Sequence, residues 1–285
     1  MTLLKKIAVS FVAAISLLSA GVYADNHPKL SVQLWSVKED VAKDFEGTLK
    51  KLAAMGFQGV EFAGNFGPYA DNPEGLKKFL KDNGLEVSGA HVGFAGLNDE
   101  NFDKTVAFFK TLGAKYLVVP MDQRAFSPDG IDAVVAELTA NAAKLKAHGL
   151  YTGYHNHAPE FADFKGTTYW DYLATNTPKD VILQLDIAWA AMAGKDPAEY
   201  VRKYPGRTIT THFKAAVPTE TAGKRVIIGE DLVDWKNLIN ATREVGGTQW
   251  YVVEQEIYPD NLAPMEAIEL SLNGLKKILA EMNAK

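Results

Sequence analysis

The sequence contains no cysteine. Disulfides and thiolate ligands are therefore excluded. Zero cysteine suits an oxidising compartment such as a bacterial periplasm, but it suits others equally, so it does not fix the location. Positive charge is also in short supply, with 30 Lys and Arg against 35 Asp and Glu. An acidic chain is a poor match for the phosphate backbone of nucleic acid, so no nucleic-acid partner is expected. No low-complexity segment, long linker or second domain is visible, and no Gly-rich phosphate loop follows an early strand. Beyond the first residues, no run is apolar enough to cross a membrane.

The first 24 residues read as a secretory leader. Lys5 and Lys6 precede an uncharged apolar stretch, Ile7 to Ala20, and Val22-Tyr23-Ala24 offers a small-x-small cleavage site before Asp25. The expectation is a signal peptide over residues 1–24 and a secreted or periplasmic protein of residues 25–285, free of the membrane after cleavage. Loss of Lys5 and Lys6 would deepen the net charge from -5 to about -7. The remaining length suits a single α/β barrel.

From Leu30 onward, short β-branched and aromatic runs alternate with longer amphipathic stretches. Strands are predicted over Leu30–Val37, Gly59–Ala63, Glu86–Val92, Tyr116–Met121, Tyr151–His157, Val181–Ile187, Thr208–Lys214 and Trp250–Glu256. The clearest helical patterns are Phe45–Met55, Asn98–Leu112 and Ile131–Ala147. Gly56, Gly84, Gly113, Gly149 and Gly246 mark helix ends, and Asp71-Asn72-Pro73, Ser127-Pro128 and Asp196-Pro197 mark starts. Eight strand–helix units imply parallel strands with right-handed crossovers, closed into a (β/α)8 TIM barrel.

Barrel chemistry collects at the C-terminal ends of the strands. Nearly every predicted strand ends in a polar or ionisable residue: Glu61, His91, His155-Asn156-His157 with Glu160 close behind, Asp186, His212 with Lys214, and Glu254 with Glu256. One strand-end histidine is more often structural than functional, and one carboxylate often only caps the next helix. Several at one mouth are costly to bury unless they share a cation or a substrate. Carboxylates and imidazoles without sulfur suit Mn2+, Mg2+, Co2+ or Zn2+, and ligand type alone does not choose among them.

These residues resemble the xylose isomerase-like barrel superfamily, particularly its sugar phosphate isomerase/epimerase group. The similarity runs from Leu30-Ser31-Val32-Gln33-Leu34-Trp35-Ser36 and Gly56-Phe57-Gln58-Gly59-Val60-Glu61 through Tyr154-His155-Asn156-His157-Ala158-Pro159-Glu160-Phe161 and Leu185-Asp186. It continues through Thr211-His212-Phe213-Lys214 to Gly229-Glu230-Asp231-Leu232-Val233-Asp234-Trp235 and Val252-Val253-Glu254. The resemblance implies one divalent cation, with Mn2+ the leading expectation, held by Asp186, His212, Glu254 and a fourth ligand from strand five. Many members place a glutamate there, where this chain has His155. Either His155 takes its place or Glu160 reaches back from the loop. Glu160 is the favoured reading because it keeps a carboxylate-rich set, which leaves His155 beside the metal.

The resemblance further implies a metal-dependent isomerase or epimerase of a small carbohydrate, working through an enediolate stabilised by the metal as Lewis acid. A histidine cluster on strand five also resembles members that eliminate or add water, or that cleave 3-keto-glycosides, so a lyase or dehydratase is the alternative. His157 or His155 is the expected base, with Glu256 a weaker candidate. Lys214 either steadies the oxyanion or forms a salt bridge. Glu61, His91, Glu256 and Trp35 are expected to contact substrate, while Phe94 and Trp189 are candidate apolar walls. An exported enzyme meets free sugars, and Lys224-Arg225 is the only basic pair near the site, so the substrate is expected to be unphosphorylated. Barrels of this group often pair, which leaves a homodimer open. A DNA-cleaving phosphodiesterase would need a histidine-rich multi-zinc cluster and a basic face, and the chain has six histidines and a negative charge. A sugar-binding protein without catalysis is the remaining rival; it predicts binding without turnover whichever metal is added.

Overall fold

Strands form where the β-branched and aromatic runs predict them, and seven of the eight stop before the predicted end. In the computed structural model, which describes residues 27–284, the barrel strands are β1 (Lys29–Gln33), β2 (Gly59–Phe62), β3 (Glu86–His91) and β4 (Tyr116–Val119). They are followed by β5 (Tyr151–His155), β6 (Ile182–Gln184), β7 (Thr210–Lys214) and β8 (Trp250–Glu254). The expected leader, residues 1–24, lies outside the described residues. Among the described residues no helix is long and apolar enough to cross a membrane.

All barrel pairings are parallel, in the order β6-β5-β4-β3-β2-β1-β8-β7. The seam between β6 and β7 has no continuous ladder. It is joined by the Leu183 N–H donating to the Arg207 carbonyl at 2.8 Å and the His212 N–H donating to the Leu185 carbonyl at 2.9 Å. Arg207 is buried there, its Nε donating to the Val181 carbonyl at 2.9 Å and its Nη2 to Thr177 Oγ1 at 2.8 Å. The expected (β/α)8 barrel is thus formed, with its weakest pairing pinned by a buried guanidinium.

The strands are shorter than their apolar runs because polar side chains capture the backbone. Gln33 accepts from the Trp35 N–H at 3.2 Å and turns the chain into a 3-10 helix, Leu34–Val37, where extended structure was expected. Beyond β6, Asp186 caps the helix Ile187–Met192 by accepting from the Trp189 N–H at 2.9 Å. Phe45–Met55 is helical as predicted, and Ile131–Lys146 nearly so. The stretch beginning at Asn98 becomes a helix only from Phe102, because the Asn98 side chain accepts from the Asn101 N–H at 3.0 Å and forms a turn first. Ser127 closes a 3-10 turn and does not start the following helix, which begins at Ile131. Gly246 is likewise not a helix cap: a π-helical turn, Thr242–Gly246, carries the helix one residue further, and Gly247 takes the left-handed φ of 67°.

Leu49, Leu52, Leu76, Leu80, Ile131, Leu138, Leu272 and Leu275 are buried on the surrounding helices, each contributing roughly 1.5–3 kcal/mol by burial. The barrel interior is more polar than the branched apolar filling usual for this architecture. Ser31 and Ser88 share a 2.6 Å hydrogen bond across it, and Gln33, Glu61, Gln184 and His212 form the layer above. All six are fully buried.

Candidate metal centre and active site

That polar layer rises directly into the strand ends. His155 closes β5, Asp186 follows β6, His212 lies on β7 and Glu254 ends β8. One ligand atom from each lies within 4.8 Å of the others, and all four residues are buried. This is slightly wider than the ~4.4 Å spanned by opposite ligands on an ion with ~2.2 Å bonds, so small side-chain movements would close it. A second, overlapping group is formed by His91, His155 and His212.

The residues fit a divalent ion on two further counts. The His155 Nδ1 is buried without a hydrogen-bond partner, and burial, then the neighbouring His212 and His91, push the ring's pKa well below 6.5. A neutral imidazole has a lone pair available for a metal. His212, by contrast, is fixed at both nitrogens. Its Nδ1 lies 2.9 Å from Glu254 Oε2 and its Nε2 lies 2.6 Å from Glu61 Oε1. Burial alone would lower its pKa, but the charges of Glu254 and Glu61 raise it to about 10. Asp186 is pushed up to about 6 by burial, against the pull of Lys214.

The structure does not bring Glu160 to this cluster, against the favoured expectation. The loop after β5 turns its carboxylate away, where Oε2 accepts from the His157 N–H at 2.9 Å and Oε1 from the Tyr154 hydroxyl at 3.1 Å. Burial raises its pKa. Glu160 shapes the loop that carries His157, and His155 occupies the strand-five position. Asn156 braces the same region, since its Oδ1 accepts from the Asp186 N–H at 2.9 Å.

Above the cluster opens a cavity of about 350 Å3 lined by Trp35, His91, His155, His157, Lys214, Glu254 and Glu256, with Met121 at its rim. A larger hollow of about 610 Å3 lies at the opposite, N-terminal end of the barrel, among Lys29, Tyr116, Gln249 and Trp250, away from the titratable cluster. The cavity over the cluster is the one with chemistry. His157 is partly buried there, its Nδ1 is unpartnered, and burial, then the charge of Lys214, lower its pKa below 6.5. Lys214 donates to Glu256 and lies 3.3 Å from Asp186 Oδ2 and 3.4 Å from Glu254 Oε2. Its ammonium also sits 4.8 Å from the centre of the Trp189 ring. Trp35 is 44% exposed at the mouth, one face covered by the Lys38 ammonium at 3.8 Å. Phe94 packs beneath Arg124 and lines a different hollow, so it does not wall this cavity.

Glu61 is the residue whose placement differs most from expectation. It was expected to touch substrate, yet it is fully buried beneath His212 and outside the cavity lining. Gln33 donates to its Oε1 at 2.7 Å and Gln184 to its Oε2 at 2.7 Å. Gln184 was not singled out from sequence; it lies two residues before Asp186 at the end of an apolar run, which was the available signal. His91 does line the cavity, and its Nε2 lies 2.8 Å from Gln184 Oε1. Arg225 is committed to Glu230 and Asp260, each at 2.6 Å, and forms no phosphate cradle.

Comparison with known proteins gives this geometry a lineage. The chain is 25% identical over 277 residues to an inosose dehydratase of Lacticaseibacillus casei, covering 84% of this chain and 90% of that one. An inosose dehydratase of Geobacillus thermodenitrificans is also 25% identical, over 260 residues, 78% of this chain and 85% of the relative. The crystal structure of a sugar phosphate isomerase/epimerase from Parabacteroides distasonis superposes with a TM-score of 0.73 at 25% identity, covering 90% of this chain and 98% of that chain. Residues 49–278 match the family described as Xylose isomerase-like TIM barrel. With eight parallel strands and a His/Asp/Glu cluster at their C-terminal ends, the chain belongs to the xylose isomerase-like TIM barrel family.

Proposed function

We propose that the chain is a divalent-metal-dependent lyase that eliminates a β-substituent from an unphosphorylated keto-sugar or inosose-like ketone. The observation that carries this reading is His155 completing the cluster where a carboxylate was expected, with His157 beside it over the cavity. The sugar isomerases and epimerases lean on paired glutamates for proton transfer; here the strand-five member of that pair is the neutral imidazole of His155, while Glu254 of β8 is retained. The dehydratase relatives point the same way.

The metal would be held by His155, Asp186, His212 and Glu254, and when bound it supplies a Lewis acid at the substrate carbonyl. His157 removes the proton from the carbon next to the carbonyl; its low pKa keeps it in the base form at neutral pH. The electron pair of that C–H bond becomes the new C=C bond as the β C–O bond breaks. The proton and the departing oxygen leave together, as water when the β-group is hydroxyl. Lys214 donates a hydrogen bond to the departing oxygen, and Glu256 holds its ammonium in place. His91 and Trp35 bind the ring from the cavity wall. Glu61, buried beneath His212, is not assigned a substrate contact.

A second reading keeps the same first step. Return of the proton to a neighbouring carbon, or to the opposite face, gives isomerisation or epimerisation, and the similarity to the Parabacteroides distasonis structure supports it. Export through the N-terminal leader and cleavage after Ala24 are part of the proposal and account for the unphosphorylated substrate.

The test is metal-stripped protein re-supplied separately with Mn2+, Mg2+, Co2+ or Zn2+. Free aldoses and ketoses form one substrate panel, and 3-keto-glycosides with inosose-like ketones form the other, both followed by NMR in D2O. Metal-dependent loss of a β-substituent supports the lyase. Deuterium incorporation without loss of a substituent moves the chain to the isomerases and epimerases. Tight sugar binding with no turnover under any metal leaves a binding protein.

A further inference from the structure

A single buried carboxylate stands behind the candidate metal cluster, and the fold makes a local exception to accommodate it. Pairing between β2 and β3 runs in step through Val60 and Val87, then shifts so that Glu61 faces Gly89, leaving Ser88 unpaired. Such an irregularity re-aims the side chain at the site of the slip. The residue it faces is glycine, and a Cβ there would lie 3.0 Å from Glu61 Oε2 and 3.3 Å from the Tyr116 carbonyl. Any larger residue would press on the carboxylate from behind.

In that position Glu61 meets donors from across the barrel: Gln33 of β1, Gln184 of β6 and His212 of β7, at 2.7, 2.7 and 2.6 Å. A carboxylate only accepts, so the nitrogen of His212 that faces it must carry hydrogen, and that nitrogen is Nε2. The Gln184 amide nitrogen faces Glu61, so its oxygen faces His91 and His91 is also protonated at Nε2. The remaining nitrogen of His212, Nδ1, faces the Glu254 carboxylate in the cluster and by the same rule carries hydrogen in the metal-free protein; that hydrogen is the one a metal ion would displace.

We propose that Glu61 is a positioning residue for the metal: by accepting from His212 Nε2–H it fixes the tautomer that presents Nδ1 as the ligand, and strengthens that ligand. This rests on the metal-site reading above and extends it to a residue outside the ligand set. Metal-bound histidines commonly donate their second N–H to a carboxylate in this way, and loss of the partner weakens metal binding about 10- to 100-fold.

The test compares wild type with Glu61→Gln and Gly89→Ala. Zn2+ and Mn2+ dissociation constants are measured by chelator competition, and His212 is read by 15N NMR in the Zn2+-loaded protein. Glu61→Gln is expected to weaken both metals about 10- to 100-fold and to mix the two His212 tautomers. The melting temperature of the metal-free protein separates this from general destabilisation, because a purely structural role would lower it without changing the dissociation constant. Gly89→Ala is expected to act in the same direction with smaller effect, and carries the test alone if Glu61→Gln does not fold. Unchanged dissociation constants in folded variants, or a wild-type His212 bound to Zn2+ through Nε2, would overturn this inference and leave the metal site standing. A wild-type protein that binds neither metal would overturn both.

Discussion

The charge pattern around His212 makes a quantitative statement about metal-free protein. In the unfolded chain this imidazole titrates near 6.5; in the fold, Glu254 and Glu61 hold the charged form and its pKa rises to about 10. A group whose pKa is raised on folding contributes stability that is complete below the unfolded value and is lost as pH climbs through the folded one. At ~1.36 kcal/mol per pKa unit, the separation amounts to ~5 kcal/mol below pH 6.5, falling by ~1.4 kcal/mol per pH unit until it is nearly gone at pH 10. Total stabilities run to about 5–15 kcal/mol, so the effect should be plain in denaturant midpoints.

The assay is urea unfolding of EDTA-stripped protein at intervals from pH 6 to 10, with the His212 ring followed by NMR over the same range. Lysine and tyrosine side chains also titrate near pH 10, so the NMR titration decides the assignment. Saturating Zn2+ should flatten the His212 part of the slope, because a ligated imidazole no longer exchanges its Nδ1 proton. A His212 ring that titrates near 6.5 in folded, metal-free protein would refute the argument, since no carboxylate clamp would then be acting on it.

Further expectations follow from the same contacts. His155→Ala should abolish stoichiometric metal binding, whereas Glu160→Gln should leave metal content unchanged by mass spectrometry of the desalted protein; the reverse pattern would restore Glu160 as the ligand. Lys214→Met should tighten metal binding, since its ammonium lies 3.3–3.4 Å from two expected ligands, while lowering turnover about 100-fold or more; weaker binding would mean that Lys214 supports the ligands and does not compete with the ion. With His157 as base, the acid limb of kcat/KM should fall below pH 6.5, and His157→Gln should remove it. Trp35→Ala at the exposed mouth should raise KM several-fold while changing stability by less than about 1 kcal/mol, measured by steady-state kinetics and thermal melts.

What the sequence made legible follows from the range of the forces involved. Strand positions depend on short-range periodicity, and seven of the eight predicted runs contain their strands, the first strand beginning one residue earlier at Lys29. Strand ends and helix starts depend on which side chain captures which amide. Gln33, Asn98 and Asp186 each do so from positions that read equally well as continuing structure. At the site, strand-end position was enough to gather Asp186, His212 and Glu254, because alternation fixes which side chains face inward. The distinction between His155 and Glu160 was not legible that way. Preserving a carboxylate favoured Glu160, but it lies five positions beyond His155, past the strand end and in a 3-10 turn, and a backbone amide at His157 claims the glutamate. Glu61 shows the same limit from the other direction. Its strand-end position suggested a substrate contact, yet a one-residue slip against β3 and a glycine facing it sink the carboxylate under His212. The slip belongs to the pairing of two strands, so neither strand's own sequence contains it. Polar residues at a barrel mouth can therefore be recognised one strand at a time, but the division between those that hold a ligand and those that hold the holders is set by contacts across the barrel.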